Sequence, residues 1–418
     1  MRKFIRNNII VLAFFNSASV FNYLFQVVVG RSISSIDYGV FNSLFAMVSI
    51  FTAPVSVVHI VFSRFIVNLS LSGLGKVKSL FTKSFKIILG LSGTILLGGI
   101  IAIPLIKDFF HLEVTTPIVL VLITICFSML FPIPFAILEG LHRFTRLGIG
   151  SSCTPLIRFF GALFFVAGLG WGVNGALLTA ATASVFTLGF GLWSLKDIFK
   201  VSSEPLPDGT FRDMANYSGP VFLSTTMIMI LGTIDISLVR HYCSPEEAGL
   251  YATAAILGRI ALYLPGALIA VLFPSAAKAR ALGEKDGYIL WTSLSLTAFL
   301  AFSVALLFNL WPEQFISLFL GDQHREAASL LKIISIAMAI LSLTNVIASY
   351  SLARSDYAFL FPLVAGVTLM MALILTYHDT ATTIAYIMLL SVSSIFIVAF
   401  AQLIFKINRS STATHRRT

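Results

Sequence analysis

Long apolar runs follow one another along the whole chain, with only short polar segments between them. A helix needs about 20 predominantly apolar residues to cross the hydrocarbon core of a bilayer. Charged residues make up 11 % of the chain, against roughly 25 % in soluble domains, so this sequence cannot cover a core with a hydrated surface. The runs that predict membrane helices are 9–29, 38–59, 87–106, 117–138, 156–169, 173–195, 217–238, 250–273, 289–310, 328–351, 358–376 and 383–404.

Basic residues are unevenly divided between the two ends of these predicted helices. The two tails and every second loop together hold 21 of the 28 Lys and Arg residues, and such an excess marks cytoplasmic segments. We therefore predict a multi-pass protein of the cell inner (cytoplasmic) membrane, with both termini in the cytoplasm. The formal net charge of +10 suits contact with anionic membrane lipids, and we expect no nucleic acid partner.

The chain has a natural boundary near its midpoint, in the polar segment SSEPLPDGT, residues 202–210. The segment SSIDYGVF, residues 34–41, aligns at an offset of 210 with SPEEAGLY, residues 244–251. Both precede the second predicted helix of their half, so the halves are repeats of the same orientation, as in one class of secondary transporter. The predicted domains are an amino-terminal six-helix bundle (1–196), a cytoplasmic linker (197–216), a carboxy-terminal six-helix bundle (217–405) and a basic cytoplasmic tail (406–418).

The sequence shows no motif for catalysis, metal binding or cofactor binding. It has no Walker lysine motif, no pair of histidines at zinc spacing and no loop carboxylate pair suited to glycosyl transfer. The glycine-rich segment 168–175 connects two predicted helices, and the longest outer loop, 311–327, has only 17 residues. We therefore expect no enzyme, no catalytic residue, no metal and no cofactor.

Polar side chains recur at helical spacing inside several predicted membrane helices. One stripe comprises Ser49, Thr52, Ser56, His59 and Ser63. Lipid offers no hydrogen-bond partner, so these faces are expected to turn inward. The candidate substrate-binding residues chosen from such stripes are Asn16, Gln26, Ser56 and Asn345. The alternative is that these groups form hydrogen bonds that only hold the helices together.

Charged residues inside the predicted helices are more informative because they are more costly to bury. An arginine at mid-membrane costs roughly 2.5–3.5 kcal/mol on insertion scales and marks a partner or a substrate path. Arg259 is the only charged residue in YATAAILGRIALYLPG, residues 251–266, and we predict that it contacts an anionic substrate. The alternative is an ion pair with Asp235, the only acidic residue inside the predicted helices.

Four further charged or titratable positions are candidates for function. Arg64 and Arg158 are expected near the inner surface, where they would meet a phosphate from the cytoplasmic leaflet or act as ordinary anchors. Asp235 and His59 are the candidates for coupling an ion, because a carboxylate binds protons or cations and histidine titrates near neutral pH.

Two segments carry a resemblance to a known family. In IDISLVRHYCSPEEAGLYATAAILGRIALYLPGALIAVLFPSAAKA, residues 234–279, the order Asp235, Gly249, Tyr251, Ala254 and Pro274 resembles the second-half signature of the polysaccharide-biosynthesis flippases. GRSISSIDYGVFNSLFAMVSI, residues 30–50, is similar to the opening segment of the same family. These flippases are the oligosaccharidyl-lipid (O-antigen type) branch of the MATE/MOP superfamily.

The resemblance implies an all-α integral membrane fold, with twelve transmembrane helices as two parallel six-helix bundles in a MATE-like V shape. It implies a flippase that moves a polyprenyl-diphosphate-linked oligosaccharide to the outer leaflet by alternating access, for surface polysaccharide assembly. Implied partners are this substrate, membrane lipids, and the glycan polymerase and glycosyltransferases of the pathway. A cationic cavity receives the diphosphate in such families, a role that fits Arg259. Residues 9–59 hold no arginine except Arg31, unlike the more basic members.

Three other functions are compatible with the sequence. A MATE-like exporter of drugs or organic cations would need inward carboxylates, and only Asp235 qualifies. A membrane polymerase or ligase acting on lipid-linked glycans would need an outer loop with catalytic residues. A scaffold within a glycan-assembly complex would tolerate substitution of Arg259 and of the polar stripes.

Overall fold

The computed structural model of the protein describes residues 18, 20–266, 287–354 and 356–415, without the side chains of 54, 56, 60, 64, 68, 216, 217 and 407–415. Within these residues all regular secondary structure is helical, which confirms the predicted all-α class. The helices follow the apolar runs because only a helix satisfies its own backbone hydrogen bonds in hydrocarbon.

In the order of the chain, the first helices are α1 (20–32), α2 (Ser35–Leu71), α3 (Leu74–Ile101), α4 (Ile103–Phe109), α5 (Thr116–Leu130), α6 (Pro132–Gly140), α7 (Phe144–Gly161), a π-helix (Ala162–Gly168), α8 (Gly172–Ser194) and α9 (Lys196–Phe199). They are followed by α10 (Thr210–Tyr242), α11 (Pro245–Gly258), α12 (Ile260–Tyr263), α13 (Gly287–Leu310), α14 (Pro312–Phe319), a 3₁₀-helix (Asp322–Ala327), α15 (Ala328–Ala353), α16 (Leu360–Thr376) and α17 (Ala381–His415).

Nine helical segments of the described chain are long and apolar enough to cross a membrane, and α16 is a shorter apolar helix. The two remaining predicted membrane helices, 9–29 and 250–273, correspond to α1 and to α11 with α12. Each of them continues into residues outside the described part of the chain. The protein is therefore a multi-pass membrane protein whose helices lie where hydrophobicity predicts them.

The fifth membrane segment is longer than the sequence predicts. The sequence predicts 156–169, or a start near Ser151 because this run is short, whereas α7 begins at Phe144 and the segment continues through the π-helix to Gly168. The first twelve residues, FTRLGIGSSCTP, are rich in Gly, Ser and Thr, so their low hydropathy conceals a helix that packs against α8. As a result Arg158 is the fifteenth of the 25 residues of this segment, whereas the sequence places it third from the start of the predicted helix; its expected position near the inner surface stays a prediction.

The chain divides into two compact units, Met1–Gly219 (unit 1) and Pro220–Thr418 (unit 2). In unit 1, α2 packs against α5, α6 and α8. In unit 2, α15 packs against α11, α12, α13 and α17, and it belongs to the most buried of the nine segments. The boundaries predicted from the sequence, 1–196, 197–216 and 217–405, stay predictions.

The segment that follows α8 is tied to other parts of unit 1. The Lys78 ammonium group on α3 donates hydrogen bonds to the carbonyls of Phe199 and Val201, at 2.9 and 2.7 Å. Arg143, just before α7, forms an ion pair with Asp197 on α9, and this hydrogen bond holds the pKa of the Asp197 carboxyl below its usual range. These contacts fix the beginning of the predicted linker against unit 1.

We predict that Gly140 is needed for the close packing of α6 on α2. A Cβ atom added there would lie 2.7 Å from Cγ2 of Ile66 and 3.0 Å from the carbonyl oxygen of Ser63. Gly140→Ala therefore forces the helices apart and is expected to lower the free energy of unfolding by about 1–3 kcal/mol, seen as a lower melting temperature of the purified protein in detergent.

Gly93→Ala in α3 is the matched control, because nothing lies within 4 Å of a Cβ added there. Alanine is the better helix former by roughly 0.5–1 kcal/mol, so this variant should melt at the wild-type temperature or slightly above it. Equal melting temperatures for the two variants would contradict the packing of α6 on α2.

Candidate functional site

A buried ionic cluster joins α10 and α11 in unit 2. Nη2 of Arg259 donates a hydrogen bond to Oδ1 of Asp235 at 3.1 Å, and the Tyr251 hydroxyl donates one to Oδ2 at 2.9 Å. The Asp235 side chain is fully buried and that of Arg259 is 8 % exposed. Since charges interact strongly in a low-dielectric interior, the carboxylate compensates the guanidinium. The structure thus forms the ion pair that the sequence left as the alternative for Arg259.

Local helix geometry brings these side chains to one carboxylate. Tyr251 and Arg259 are about two helical turns apart, so both project from a similar side of the segment. The segment is interrupted at Arg259, which lies between α11 and α12. A Cβ added to Gly258 would lie 2.9 Å from Cγ2 of Ile334, so glycine allows α11 to approach α15 at this point.

A second arginine lies in the middle of a membrane segment, in unit 1. The guanidinium carbon of Arg158 on α7 is 4.9 Å from the centroid of the Phe45 ring on α2, a cation–π contact. Phe45 stacks in turn on Phe41, with 5.5 Å between centroids. Within the described part of unit 1, the buried Nε of Arg158 has no hydrogen-bond partner. A ring face uses none of the guanidinium N–H donors, so the contact with Phe45 does not occupy them.

His59 has an acidic neighbour that the sequence analysis missed. Nε2 of His59 on α2 lies 3.0 Å from Oε2 of Glu139 on α6, although the two atoms are not aligned as a hydrogen bond. The side chains are 33 % and 42 % exposed. The predicted membrane helix ended at residue 138, but α6 continues through Gly140, so Asp235 is not the only acidic residue in these helices.

The remaining candidate residues are distributed over both units or lie outside the description. Oε1 of Gln26 on α1 accepts a hydrogen bond from the buried Tyr38 hydroxyl at 3.1 Å. Asn345 is partly exposed on α15 in unit 2. Asn16 lies outside the described residues, as do the side chains of Ser56 and Arg64. Across the described ranges, no group of three or more His, Cys, Asp or Glu residues could hold a metal ion.

The fold is shared with several solved membrane transporters. An inward-facing multidrug resistance MATE family transporter of the MOP superfamily matches with a TM-score of 0.80, at 13 % identity, over 94 % of this chain and 96 % of that chain. The lipid II flippase MurJ in an inward closed conformation matches with a TM-score of 0.70, at 13 % identity, over 94 % and 87 %. A MOP superfamily transporter from Pyrococcus furiosus matches at 0.63, with 13 % identity, over 97 % and 95 %.

Identities this low establish a shared fold, which is that of the MATE/MOP superfamily. A family model described as polysaccharide biosynthesis protein matches residues 28–329. The match covers most of the chain, and the protein belongs to this family, which confirms the resemblance found in the sequence. A comparison with curated protein sequences found no match. The matched residues include Arg158, Asp235 and Arg259.

We predict that removing one partner of the Asp235 cluster is more harmful than removing both charges. Asp235→Asn leaves the Arg259 guanidinium buried without a counter-charge and is expected to lower the free energy of unfolding by about 3–5 kcal/mol. Tyr251→Phe removes one hydrogen bond to a charged group and should cost about 1.5–3 kcal/mol. Thermal unfolding in detergent measures both effects.

The double variant Asp235→Asn with Arg259→Gln serves as the control, since it buries no uncompensated charge. It should melt above Asp235→Asn alone. If the double variant is no more stable than the single one, the two side chains do not form a coupled pair in the folded protein.

Proposed function

We propose that the protein is a flippase that moves a polyprenyl-diphosphate-linked oligosaccharide from the inner to the outer leaflet of the cytoplasmic membrane, by alternating access, for surface polysaccharide assembly. The observation that carries the proposal is Arg158. It is a mid-segment guanidinium with no carboxylate beside it in the described part of unit 1, in a member of the polysaccharide biosynthesis protein family.

A diphosphate is an anion that suits this arrangement. Guanidinium groups bind phosphate oxygens through paired, charge-assisted hydrogen bonds. The Phe45 ring at 4.9 Å holds the guanidinium from one face, which leaves its edge for oxygen atoms. In the proposal Arg158 therefore contacts the diphosphate, and Arg64 meets the headgroup closer to the cytoplasmic leaflet.

Arg259 has a different place in the proposal. Its charge is compensated by Asp235 at 3.1 Å, so a diphosphate would have to compete with a buried carboxylate for it. Arg259 binds substrate in a state in which this pair is open, and it otherwise holds α11 to α10. This assignment keeps Arg259 as a substrate contact but makes Arg158 the first one.

Hydroxyl and amide side chains suit the sugar part of the substrate. The side-chain carbonyl oxygen of Gln26 accepts a hydrogen bond from the Tyr38 hydroxyl. We propose that the NH₂ group of Gln26 donates a hydrogen bond to a sugar hydroxyl. Asn16, Ser56 and Asn345 have the same proposed role. In the proposal this chain makes and breaks no covalent bond. Its proposed partners are the glycosyltransferases and the glycan polymerase of the pathway. Both of its termini are proposed to lie in the cytoplasm.

Export of organic cations is the second candidate function. The similarity of the fold to a multidrug resistance MATE family transporter, at a TM-score of 0.80, favours it. A cation site needs an accessible carboxylate. Asp235 is fully buried and bound by Arg259 and Tyr251, and the more exposed Glu139 lies 3.0 Å from His59. This engagement of Asp235 supports the flippase over the exporter.

We predict that Arg158→Gln impairs clearance of the substrate from the inner leaflet. The measurement is the amount of polyprenyl-diphosphate-linked oligosaccharide in cells that lack the protein and are complemented with matched levels of each variant. Loss of a charge-assisted contact worth about 1.5–3 kcal/mol corresponds to a roughly 10- to 100-fold loss of clearance. Arg158→Lys should clear partially, because it keeps the charge and loses the paired donors.

Arg325→Gln is the matched control, because this arginine is 56 % exposed and pairs with Asp322 beside it in the 3₁₀-helix. It should clear like the wild type. If the intermediate does not accumulate in the deletion strain, the flippase proposal is wrong and export of organic cations is tested next. If it accumulates but Arg158→Gln clears it normally, the assigned role of Arg158 is wrong.

A further inference from the structure

The beginning of α3 carries three lysines to which the proposed substrate contacts assign no role. Lys76, Lys83 and Lys86 precede the predicted membrane run 87–106, at the end of α3 that the distribution of basic residues predicts to be cytoplasmic. Helix α3, Leu74–Ile101, contains no Asp or Glu. Positive charge is therefore concentrated where α3 enters its apolar part.

The three lysines share one side of α3, which we call the lysine face. Lys83 follows Lys76 by seven residues and Lys86 follows Lys83 by three, so at 3.6 residues per turn they point within about 80° of one another. Lys83 and Lys86 are exposed and Lys76 is partly exposed. The buried residues of this part of α3 lie on a different side of the helix: Val77, Leu80, Phe81 and Ser84. The lysine face therefore points away from the packed side of α3.

The lysine face has no counter-charge in the part of the chain that the structure describes, where no ion pair or hydrogen bond joins its ammonium groups to another residue. Lys78, which lies between two of these lysines in the sequence, instead donates to the carbonyls of Phe199 and Val201. The Glu204 carboxylate lies beside Gly75, since a Cβ added there would be 2.6 Å from its Oε1, and among the described residues it pairs with none of the three. The lysine face is thus open to an anion from outside the chain.

The same side of α3 continues as an exposed apolar surface. Ile87, Leu97 and Ile101 are 60, 64 and 81 % exposed, and nothing lies within 4 Å of a Cβ added to Gly90 between them. Helix α3 is the least buried of the nine long apolar segments in the described chain. Ammonium groups followed along one side by bare apolar surface match an amphiphile that has an anionic headgroup and acyl chains.

An anionic phospholipid fits this surface better than other ligands of the same charge. Lysines clustered next to a membrane helix attract anionic headgroups, and lysine binds a phosphate as a point charge. Its aliphatic stem covers apolar surface while the ammonium group reaches the headgroup. A soluble anion would leave the apolar part of α3 uncovered, and a zwitterionic phospholipid would bring a cation of its own to the lysines.

We propose that the lysine face and the apolar surface after it form a binding site for an anionic phospholipid of the inner leaflet. The lipid phosphate lies at Lys83 and Lys86, and an acyl chain follows α3 from Ile87 to Ile101. Lys76, about 10 Å from Lys83 along the helix axis, attracts the headgroup at longer range. The lipid is a bound ligand and not the transported molecule, so the site does not depend on the proposed flippase function.

Lipid binding to the full chain in detergent tests the site. Native mass spectrometry measures the affinities for phosphatidylglycerol and for phosphatidylcholine with the same acyl chains, and the wild type should bind phosphatidylglycerol more tightly. Each lysine near an anionic surface contributes roughly a fivefold gain in affinity. The combined variant Lys76→Gln, Lys83→Gln and Lys86→Gln should therefore bind phosphatidylglycerol roughly 100-fold more weakly. Its affinity for phosphatidylcholine should change little.

The matched control removes the same amount of charge from exposed positions outside α3. It combines Lys196→Gln, Lys200→Gln and Arg212→Gln, and it should bind phosphatidylglycerol like the wild type. Equal losses in the two triple variants would mean that the lipid responds to overall charge, and this result would overturn the site. A wild type without preference for phosphatidylglycerol would overturn it as well.

Thermal unfolding separates loss of the site from loss of the fold. A ligand that binds only the folded state raises the melting temperature, so phosphatidylglycerol should raise that of the wild type and not that of the lysine-to-glutamine variant. Without lipid the two proteins should melt alike. A variant with arginine at all three positions keeps the charge and should keep the lipid-dependent rise; a stably folded arginine variant without this rise contradicts the site.

A polyprenyl diphosphate also combines an anion with an apolar chain, and it is the other occupant that the binding assay can detect. If a short polyprenyl diphosphate binds the wild type more tightly than phosphatidylglycerol and loses affinity in the lysine-to-glutamine variant, the phospholipid assignment is wrong. None of these measurements uses the accumulation of lipid-linked intermediates in cells. Failure of the phospholipid site and failure of the flippase proposal are therefore distinguishable.

Discussion

A charge inside a bilayer needs a partner, because hydrocarbon neither solvates it nor screens it. The described helices of this protein meet this requirement in three different ways. Arg259 is compensated by a fully buried carboxylate at 3.1 Å, His59 lies beside a half-exposed one at 3.0 Å, and Arg158 has only the face of an aromatic ring. The last arrangement is the least complete, and the proposed role of Arg158 as an anion contact rests on it.

Much of the fold could be predicted from the sequence, because an apolar run of about 20 residues has few alternatives to a membrane helix. The prediction was wrong in α7, where Gly, Ser and Thr lower the hydropathy of a helix that neighbouring helices keep in place. It missed Glu139 because the apolar run ended one residue too early. Both errors are errors of boundary: one placed Arg158 near the start of its segment instead of its middle, and the other left Glu139 just outside its helix.

The pairing of side chains was less predictable than their presence. Asp235 and Arg259 were both singled out, but their positions on separate helices allowed either an ion pair or a free cation, and only the packing of α10 beside α11 decides between them. The same limit applies to the comparison with other proteins. The fold is shared at 13 % identity with both a multidrug transporter and a lipid II flippase, so the fold does not decide between these functions. The choice between them depends on which charged side chains have a partner of opposite charge.

The π-helix that follows α7 also affects how this protein can be compared with its relatives. A π-turn accommodates one residue more than an α-turn and is found frequently at functional sites. Each additional residue rotates the part of the helix that follows it by about 100°. Residues 162–168 therefore determine how the side chains after the π-helix are oriented relative to those before it. A relative with a regular α-helix here would be one residue shorter, and an alignment anchored on α8 without a gap in this heptapeptide would match Arg158 to the neighbouring position, about 100° around the helix. Evolutionary reconstruction of this arginine therefore depends on placing a single insertion correctly.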